Sequence, residues 1–323
     1  MTLTGLTRDQ VAEISWRVNP HPLIHPPLPS PVIADPTFLP PDRTPAGNWR
    51  MWAHSLLGLH SFHSADGLSW HRGPIVTRNA LRPYVVDLID AEKAEVPGTF
   101  GPRYRLAYEK TRLFLPVGLP WKSWIESRQS DDLSIWSAPV RLLGASLAWH
   151  RTGKSEAVSN PCLVPLDDGR WRLYYSAGLT QLTDCGFPEP TFIGAADGPS
   201  PDGPFTTWPE PLIDPGDGAA SLCAGAIKVL RVADGWVGFQ NAITWDGTHS
   251  GSEIWVLGSD DGLSWSALSD RPALAPSGNG WMSSHVYALD VRDTDSGPRM
   301  YFNARDGYHW TKGRERIGLA TPA

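Results

Sequence analysis

Polar residues recur at the start of apolar, strand-like runs along this sequence. Asp35 lies in IADPTF, Asp87 in PYVVDLID, Asn160 in VSNPCL and His285 in SSHVYAL, while CAGAIKV has Ala224 at the corresponding place. Carboxylates and histidine are the side chains that most often move protons near neutral pH. If the five runs converge in the fold, Asp35, Asp87 and His285 are candidate catalytic residues.

Further polar residues lie at the ends of the strands that follow these runs. The candidate substrate ligands among the polar residues are His54, Asn160, Asn241 and Arg305. Glu109 in YEK and Glu253 after TWDGTHSGS are candidate acids. Glu109 is equally compatible with an ion pair to its neighbour Lys110, and Glu253 with a solvated side chain.

Two of the carboxylates have alternatives. An aspartate before proline commonly closes a local turn through its own backbone, so Asp35 has a structural interpretation beside the catalytic one. Asp90 is an alternative to Asp87 for the same position, and we favour Asp87 because Tyr84 lies near it.

A repeated turn indicates which elements position these residues. SADGLSW at 64–70 returns as SDDLSIW at 130–136 and SDDGLSW at 259–265, with a looser copy, AADGPSPDGPFTTW, at 195–208. Asp and Gly tolerate the backbone angles of tight turns between strands. A recurrence at intervals of roughly 60 residues indicates repeated supersecondary units, whose closing tryptophans pack between neighbouring units.

Upstream of each of the four copies lies a run that reads as strand, polar turn and aromatic-rich strand, and a fifth such run, HVYALDVRDTDSGPRMYFNA at 285–304, follows the last copy, which makes five units. We therefore predict an all-β fold, a five-bladed β-propeller in one domain, since radial repetition leaves only short sheet edges. A sandwich or jelly roll is the competing all-β prediction. The predicted segments are an N-terminal helix and ring-closing segment at 1–30 and a propeller at 31–323, with blades at roughly 31–80, 81–150, 151–215, 216–280 and 281–323.

Tryptophans in or beside loops could line a cleft. Trp52, Trp124 and Trp281 are candidate substrate-binding residues, because an aromatic face suits a sugar ring or another flat substrate. The segment 112–127, RLFLPVGLPWKSWIES, departs most from the repeat and is either a lid over the funnel or a loop packed on the next blade.

The composition of the chain limits the kinds of partner that we expect it to bind. The chain has 323 residues and a net charge of −6, which argues against nucleic acid or an anionic membrane as the main partner and favours a small molecule or glycan. The N-terminus has no basic start followed by an apolar stretch, so we expect no signal peptide. Three cysteines without metal-ligand spacing suit a reducing cytoplasm. Oligomeric state leaves no sequence signal.

IADPTF, followed by NWRMWAHS and SADGLSWHR, resembles blade one of the five-bladed propeller glycoside hydrolases that include arabinanases, xylosidases and fructosidases. The resemblance implies that Asp35 is the general base or nucleophile. For His285 the resemblance offers an alternative to the catalytic role given above, since a histidine on the fifth blade supports an ion or water in the channel of some members. We predict no cofactor and no metal ligand, although a structural Ca²⁺ held through water would leave little trace.

Two family carboxylates are replaced in this sequence. Asn160 and Ala224 stand where the family has an aspartate and its acid glutamate, and neither can protonate a leaving group. Three function classes follow: a glycoside hydrolase with Asp35 as base and a non-standard acid; a repurposed propeller enzyme such as a cyclase, lyase or isomerase of small-molecule biosynthesis; and a non-catalytic carbohydrate-binding propeller.

Overall fold

The computed structural model describes residues 1–89, 101–112 and 119–323. The chain begins with a short helix, α1 (Arg8–Ala12), whose cap is Thr7: its hydroxyl accepts a hydrogen bond from the Gln10 N–H at 3.3 Å. The short strand β1 (Trp16–Val18) follows. Four 3₁₀ helices lie in the described residues, at Leu3–Gly5, Pro41–Arg43, Ala148–His150 and Gly280–Met282.

The first sheet is an antiparallel meander of four strands. They are β2 (Ala34–Leu39), β3 (Trp49–Ser55), β4 (Gly58–Ser64) and β5 (His71–Thr77). Apolar residues of the inner strands β2 and β3 are buried on both faces, whereas β5 is largely exposed. The outermost strand is therefore the edge of the sheet.

The second sheet repeats this order. Its strands are β6 (Ala80–Asp87), β7 (Tyr104–Thr111), β8 (Ser123–Ser130) and β9 (Val140–Gly144). A two-stranded ribbon, β10 (Arg151–Thr152) with β11 (Ser155–Glu156), leads into the third sheet.

The third sheet carries an insertion. Its strands are β12 (Val158–Pro165), β13 (Trp171–Ala177), β16 (Phe192–Gly198) and β17 (Thr206–Thr207). Between β13 and β16 lies a separate hairpin of β14 (Thr180–Leu182) and β15 (Phe187–Glu189). This hairpin becomes important at the candidate site.

The remaining strands form one eight-stranded sheet that also includes β1. They are β18 (Cys223–Val232), β19 (Gly235–Trp245), β20 (Ser250–Ser259), β21 (Ser266–Ala267), β22 (His285–Arg292), β23 (Arg299–Arg305) and β24 (Glu315–Pro322). A single parallel pair, Ser252 with His285, joins β18–β21 to β22–β24. The N-terminal strand β1 pairs antiparallel with β24 as the outer strand of the second group.

The first strands of these groups contact one another in cyclic order. β2 packs against β6 and β22, β12 packs against β6 and β18, and β18 packs against β22. The architecture is all-β and propeller-like, with its inner strands around a common axis. Among the described residues, no helix is both long enough and apolar enough to cross a bilayer.

The repeated turn joins neighbouring sheets. In the first copy Asp66 Oδ1 accepts hydrogen bonds from the N–H groups of Leu68 and Ser69, at 2.8 and 2.7 Å, which fixes the turn. The carbonyl of Gly67 then accepts a hydrogen bond from the hydroxyl of Tyr301, on β23 in the last group of strands, at 2.7 Å. The copy at 259–265 does the same, because Tyr174 donates to the Gly262 carbonyl at 2.7 Å. The repeat is thus architectural.

Candidate functional site

Each inner strand carries an irregularity near its start. The antiparallel register shifts in β2, β6, β12, β18 and β22. In four of them the extra residue has a left-handed backbone, with φ of 53° at Asp35, 51° at Arg82, 49° at Asn160 and 70° at Gly225. A bulge of this kind redirects a side chain out of the ladder. All four residues line a cavity at this end of the axis.

The cavity encloses about 770 Å³ of space, its open mouth included. One wall is apolar and aromatic, and it consists mainly of Val32, Leu56, Leu81, Phe187, Tyr287 and Trp310. The polar lining consists of Asp35, His54, Arg82, Asn160, Glu189, Asn241, Asn303, Arg305 and Glu315. Three carboxyl groups and two guanidinium groups therefore face one small space.

Asp35 is held on two sides. Its N–H donates to Asn303 Oδ1 at 2.9 Å, and its Oδ2 lies 3.3 Å from His54 Nδ1. Burial raises the pKa of Asp35, although the nearby charges of Arg82 and Lys228 oppose the shift. Burial also lowers the pKa of His54 well below its ordinary value, so that this ring is neutral. Asp35 is a positioned carboxyl whose proton affinity is above normal.

Arg82 is the corresponding residue of the second sheet. Its Nη1 donates to Glu109 Oε2 at 2.5 Å, and Glu109 is fully buried. Trp121 Nε1 donates to the other oxygen of Glu109 at 3.0 Å. Glu109 does not line the cavity: it neutralises and orients Arg82 from behind.

Glu189 is the carboxyl that sequence reasoning missed. It ends β15, the hairpin inserted into the third sheet. The chain after it runs beside the start of β18: the N–H groups of Ala224 and Gly225 donate to the carbonyls of Thr191 and Pro190 at 2.9 and 3.2 Å. Burial raises the pKa of Glu189 to about 8, and Arg82 opposes the shift. At neutral pH this carboxyl keeps its proton.

The position beside Glu189 cannot carry an acid of its own. Ala224 is fully buried and lies outside the cavity lining, so Gly225 is the residue of β18 that faces the cavity. A Cβ atom on Gly225 would collide with the backbone carbonyl oxygen of Asn241. The inserted hairpin therefore supplies a carboxyl where β18 has no room for a side chain.

Glu315 is a second carboxyl that sequence reasoning missed. It opens β24, and Asn303 Nδ2 donates to its Oε1 at 2.5 Å. Burial raises its pKa to about 7, and the charge of Arg305 opposes the shift. Asn303 thus bridges Asp35 and Glu315, because its amide oxygen accepts from the first and its amide nitrogen donates to the second.

Five of the residues predicted from the sequence are brought together. Asp35, His54, Asn160, Asn241 and Arg305 all line the cavity. Asn160 is nearly buried, and its Nδ2 donates to Ser159 Oγ at 3.2 Å. Asn241 Nδ2 donates to the Val286 carbonyl at 3.3 Å, which ties β19 to β22.

Asp87 does not belong to this site. It ends β6 at the opposite end of the axis, where Arg103 Nε and Nη2 donate to its two oxygens, both at 2.8 Å. The expectation that Asp87 faces the funnel is therefore wrong, because Arg82 at the bulge takes that place. The alternative, Asp90, lies outside the described residues.

His285, Glu109 and Glu253 are not among the lining residues. The His285 ring is buried and stacks on Tyr287 at 5.0 Å, so Tyr287 forms the wall in front of it. Burial lowers the pKa of His285 to about 4, which suits a neutral packing residue. Glu253 accepts a hydrogen bond from Trp255 Nε1 at 3.2 Å on the surface of β20. The predicted placement of these three side chains in the mouth is corrected.

The predicted aromatic ligands also lie elsewhere. Trp52 is fully buried and meets Trp136 edge to face at 5.9 Å. Trp124 donates to Glu126 at 2.7 Å, and Trp281 stacks on Phe302 at 5.7 Å. These three tryptophans pack between strands and do not line the cavity. For Trp52 and Trp124 the alternation of side chains along a strand accounts for this, whereas Trp281 lies in the 3₁₀ helix Gly280–Met282.

The predicted lid is described in part. Residues 113–118 lie outside the described residues. From the remainder, Trp121 packs edge to face at 6.2 Å against Phe187, which lines the cavity. The lid stays a prediction.

Lys228 occupies the channel behind the cavity. Its ammonium donates to the Pro161 carbonyl at 3.0 Å and lies 4.7 Å from the centre of the Tyr84 ring. Burial lowers its pKa, while the charges of Asp290 and Asp35 favour the protonated form. Groups from several inner strands thus surround the Lys228 side chain.

Comparisons with known proteins identify the fold. No protein-family model matches the sequence, and no curated protein matches it. Among solved structures, a thermostable family-43 glycoside hydrolase matches with a TM-score of 0.63 and 13% identity, over 94% of this chain and 92% of that chain. A structure described as a glycoside hydrolase matches with a TM-score of 0.65 and 13% identity, over 98% of this chain and 95% of that one.

A solved structure of an enzyme with a different activity matches this chain about as well. An N-acetylgalactosamine deacetylase from F. plautii, in complex with blood group B trisaccharide, matches with a TM-score of 0.59 and 13% identity, over 94% of each chain. At these identities the likeness establishes architecture. The resemblance to propeller glycoside hydrolases is thus confirmed in the fold that this chain shares with them.

Proposed function

We propose that the chain is a glycoside hydrolase-like enzyme in which Asp35 is the base and Glu189 is the acid. The observation that carries this proposal is the position of Glu189 beside Ala224 and Gly225, in the cavity that also holds Asp35. The resemblance implied an acid at the start of that strand. A carboxyl brought in by the inserted hairpin restores the missing function.

Acid–base cleavage of a glycosidic bond needs one carboxyl that gives a proton and one that takes a proton, and we assign these roles to Glu189 and Asp35. A proton on Glu189 is available at neutral pH, because burial raises its pKa to about 8. In the proposed reaction Glu189 gives this proton to the glycosidic oxygen as the bond from that oxygen to the anomeric carbon breaks. Asp35 takes the proton of the attacking water or attacks the anomeric carbon itself, which corresponds to inversion or retention of configuration.

Other residues of the cavity support these roles. The neutral His54 ring lies against Asp35, and Arg82 is close enough to favour its ionised form. Asn160 occupies the third bulge and offers its amide oxygen to a sugar hydroxyl. This arrangement corresponds to a non-standard catalytic set, since neither Asn160 nor Gly225 can replace the family carboxylates.

We infer that the propeller has five blades. The two groups joined by the Ser252–His285 pair count as separate blades, because one pair of residues connects them and each has its own inner strand. We also propose that the Lys228 ammonium takes the axial position that a channel calcium ion would need. No group of three His, Cys, Asp or Glu side chains suited to a metal was found within residues 1–89, 101–112 and 119–323.

A cyclase, lyase or isomerase of small-molecule biosynthesis is the second candidate. The apolar wall that includes Leu56, Phe187 and Trp310 favours it, since such a surface suits a hydrophobic scaffold as well as a sugar. The deacetylase among the structural neighbours supports the same point, that one propeller fold hosts different reactions. A non-catalytic carbohydrate-binding protein would not need a buried protonated carboxyl.

We keep the cytoplasm as the proposed location. Cys162, Cys185 and Cys223 are buried and unpaired in the structure, which is compatible with a reducing compartment. Burial raises the pKa of the Cys185 thiol to about 12, so this cavity-wall thiol is not a nucleophile at neutral pH.

Hydrolysis of a panel of aryl glycosides tests the proposal. Asp35→Asn should keep the fold and lower turnover by roughly 10²–10⁴, the usual contribution of a positioned acid or base. Glu253→Gln is the matched control, because its carboxyl lies outside the cavity and its loss should leave turnover unchanged. Wild-type protein that cleaves no glycoside, and whose native reaction survives Asp35→Asn, would overturn the hydrolase assignment.

A further inference from the structure

Arg305 is a buried cation in the wall of the cavity. It ends β23, only 2% of its surface is exposed, and its Nη2 donates to the His309 carbonyl at 2.5 Å. No ion pair joins its guanidinium to a carboxylate among the residues that the structure describes. A buried charge without an ion-pair partner destabilises a fold, so Arg305 is not explained by stability.

The carboxyl that could pair with Arg305 is engaged elsewhere. Glu315 is the direct partner of Arg305 in the ladder between β23 and β24. Its Oε1 accepts a hydrogen bond from Asn303 instead of the guanidinium. The Arg305 Nε atom is buried and has no hydrogen-bond partner among the described residues, and its side chain lines the cavity.

Arg82 provides the contrast. It lines the same cavity, but its charge is balanced by the buried carboxylate of Glu109. Of the two cavity arginines, Arg305 is therefore the one that lacks an ion-pair partner within the described part of the chain. A planar guanidinium with a free nitrogen matches the two oxygens of a carboxylate.

We propose that the cavity binds an acidic sugar or a similar small acid, with the carboxylate of the ligand held by the guanidinium of Arg305. The assignment rests on the proposed function for the sugar part of the ligand, whereas the anionic group follows from Arg305 alone. A uronic acid is the simplest molecule that has both parts.

Protonation of Glu315 would allow a ligand carboxylate to bind close to the carboxyl groups of the cavity. Burial raises the pKa of Glu315 to about 7; the charge of Asp35 acts in the same direction, and those of Arg305 and Arg82 oppose it. Glu189 faces the same cavity. A proton taken up by Glu315 as the anion binds removes the repulsion between the two carboxylates. Binding should then weaken as the pH rises above about 7, and proton uptake should appear as a binding enthalpy that depends on the buffer.

Isothermal titration calorimetry with D-glucuronate and D-galacturonate, and with glucose and galactose as the neutral counterparts, tests the proposal. We expect the wild-type protein to bind at least one uronate about 10–100 times more tightly than its neutral counterpart, the usual advantage of a hydrogen bond to a charged group. Arg305→Gln should abolish this preference. Arg231→Gln is the control, because Arg231 is exposed and pairs with Asp167 away from the cavity.

Arg305→Lys covers a failure of Arg305→Gln to fold, since it keeps the charge and loses the planar fork. We expect it to bind the uronate about tenfold more weakly than wild type while still favouring it over the neutral sugar. Glucose 6-phosphate distinguishes a carboxylate from a phosphate, and tighter binding of the phosphate would overturn the carboxylate assignment. Equal affinity for uronates and neutral sugars, or a uronate preference unchanged in the Arg305 variants, would overturn the proposal.

The outcome is independent of catalysis. Free uronates are not turned over, so their binding reports on Arg305 even in an inactive protein. Arg305-dependent uronate binding in a protein that cleaves no glycoside would contradict the proposed function alone. Hydrolysis of neutral glycosides without any uronate preference would contradict this inference alone.

Discussion

The alkaline side of the pH profile should be set by Glu189. Burial raises the pKa of this carboxyl to about 8, and the acid must be protonated to act. The protonated fraction falls from about nine-tenths at pH 7 to about one-tenth at pH 9, so kcat/KM should decrease about tenfold over this range. The loss occurs as the pH rises, because only the acid form of the residue is active.

Glu189→Gln should remove this dependence together with most of the activity. The amide has nearly the shape of the protonated acid but cannot transfer its proton, so kcat/KM for a poor leaving group should fall by roughly 10²–10⁴. A nitrophenolate leaving group needs little protonation and should be affected much less. Stopped assays from pH 5 to 10 with alkyl and nitrophenyl glycosides measure both effects.

Two results would refute this reasoning. The first is an alkaline limb of unchanged position in Glu189→Gln. The second is an equal loss for good and poor leaving groups, because a residue with a purely structural role would slow both. Glu253→Gln should reproduce the wild-type profile and controls for the removal of a carboxyl that does not line the cavity.

Two further predictions concern stability. Glu189 has a folded-state pKa of about 8 and an ordinary value of 4.5 when unfolded, so its contribution to the free energy of unfolding is greatest below pH 4.5 and is lost as the pH rises through 8. Glu189→Gln should therefore raise the midpoint of urea unfolding at pH 8.5 more than at pH 5. Equal midpoint changes at the two pH values would contradict the burial of a proton on Glu189. Trp52→Ala should lower the free energy of unfolding in urea by about 3–5 kcal/mol, because Trp52 is a fully buried core residue. The affinity of the folded protein for its ligand should stay the same. A loss of ligand binding without a loss of stability would show that Trp52 belongs to the binding site.

The sequence predicted the strands and their repetition because these depend on local chemistry. Asp66 and its counterparts close the repeated turn with hydrogen bonds to residues two and three positions away. The pairing of β1 with β24 was predictable as well, since the last unit lacked an outer strand. Such features need no knowledge of distant contacts.

Two of the predicted residues that line the cavity share a simple sequence feature, since each stands directly before a proline. Asp35 and Asn160 each precede a proline at a bulge, and both line the cavity. Arg82 precedes Pro83 in the same way, so this shared step could have identified it in place of Asp87. The error came from choosing the acidic residue of the strand over the residue at the equivalent position.

Glu189 and Glu315 could not be predicted by comparing equivalent positions in the inner strands. Glu189 lies on a hairpin that interrupts the repeat, and Glu315 opens β24, the third strand of the last group. Their approach to Asp35 depends on long-range packing of β15 and β24 around the cavity. The inserted hairpin was the one available signal, because an interruption at the mouth of a repeated scaffold often carries function.

A carbon-13 NMR titration of the glutamate side-chain carboxyls tests the central claim most directly. The resonance that disappears in Glu189→Gln should titrate near pH 8 and should move when Asp35 is changed to Asn, because the charge of Asp35 raises the pKa of Glu189. A Glu189 resonance that titrates near 4.5, or that is indifferent to Asp35→Asn, would contradict the assignment of Glu189 and Asp35 as one acid–base pair.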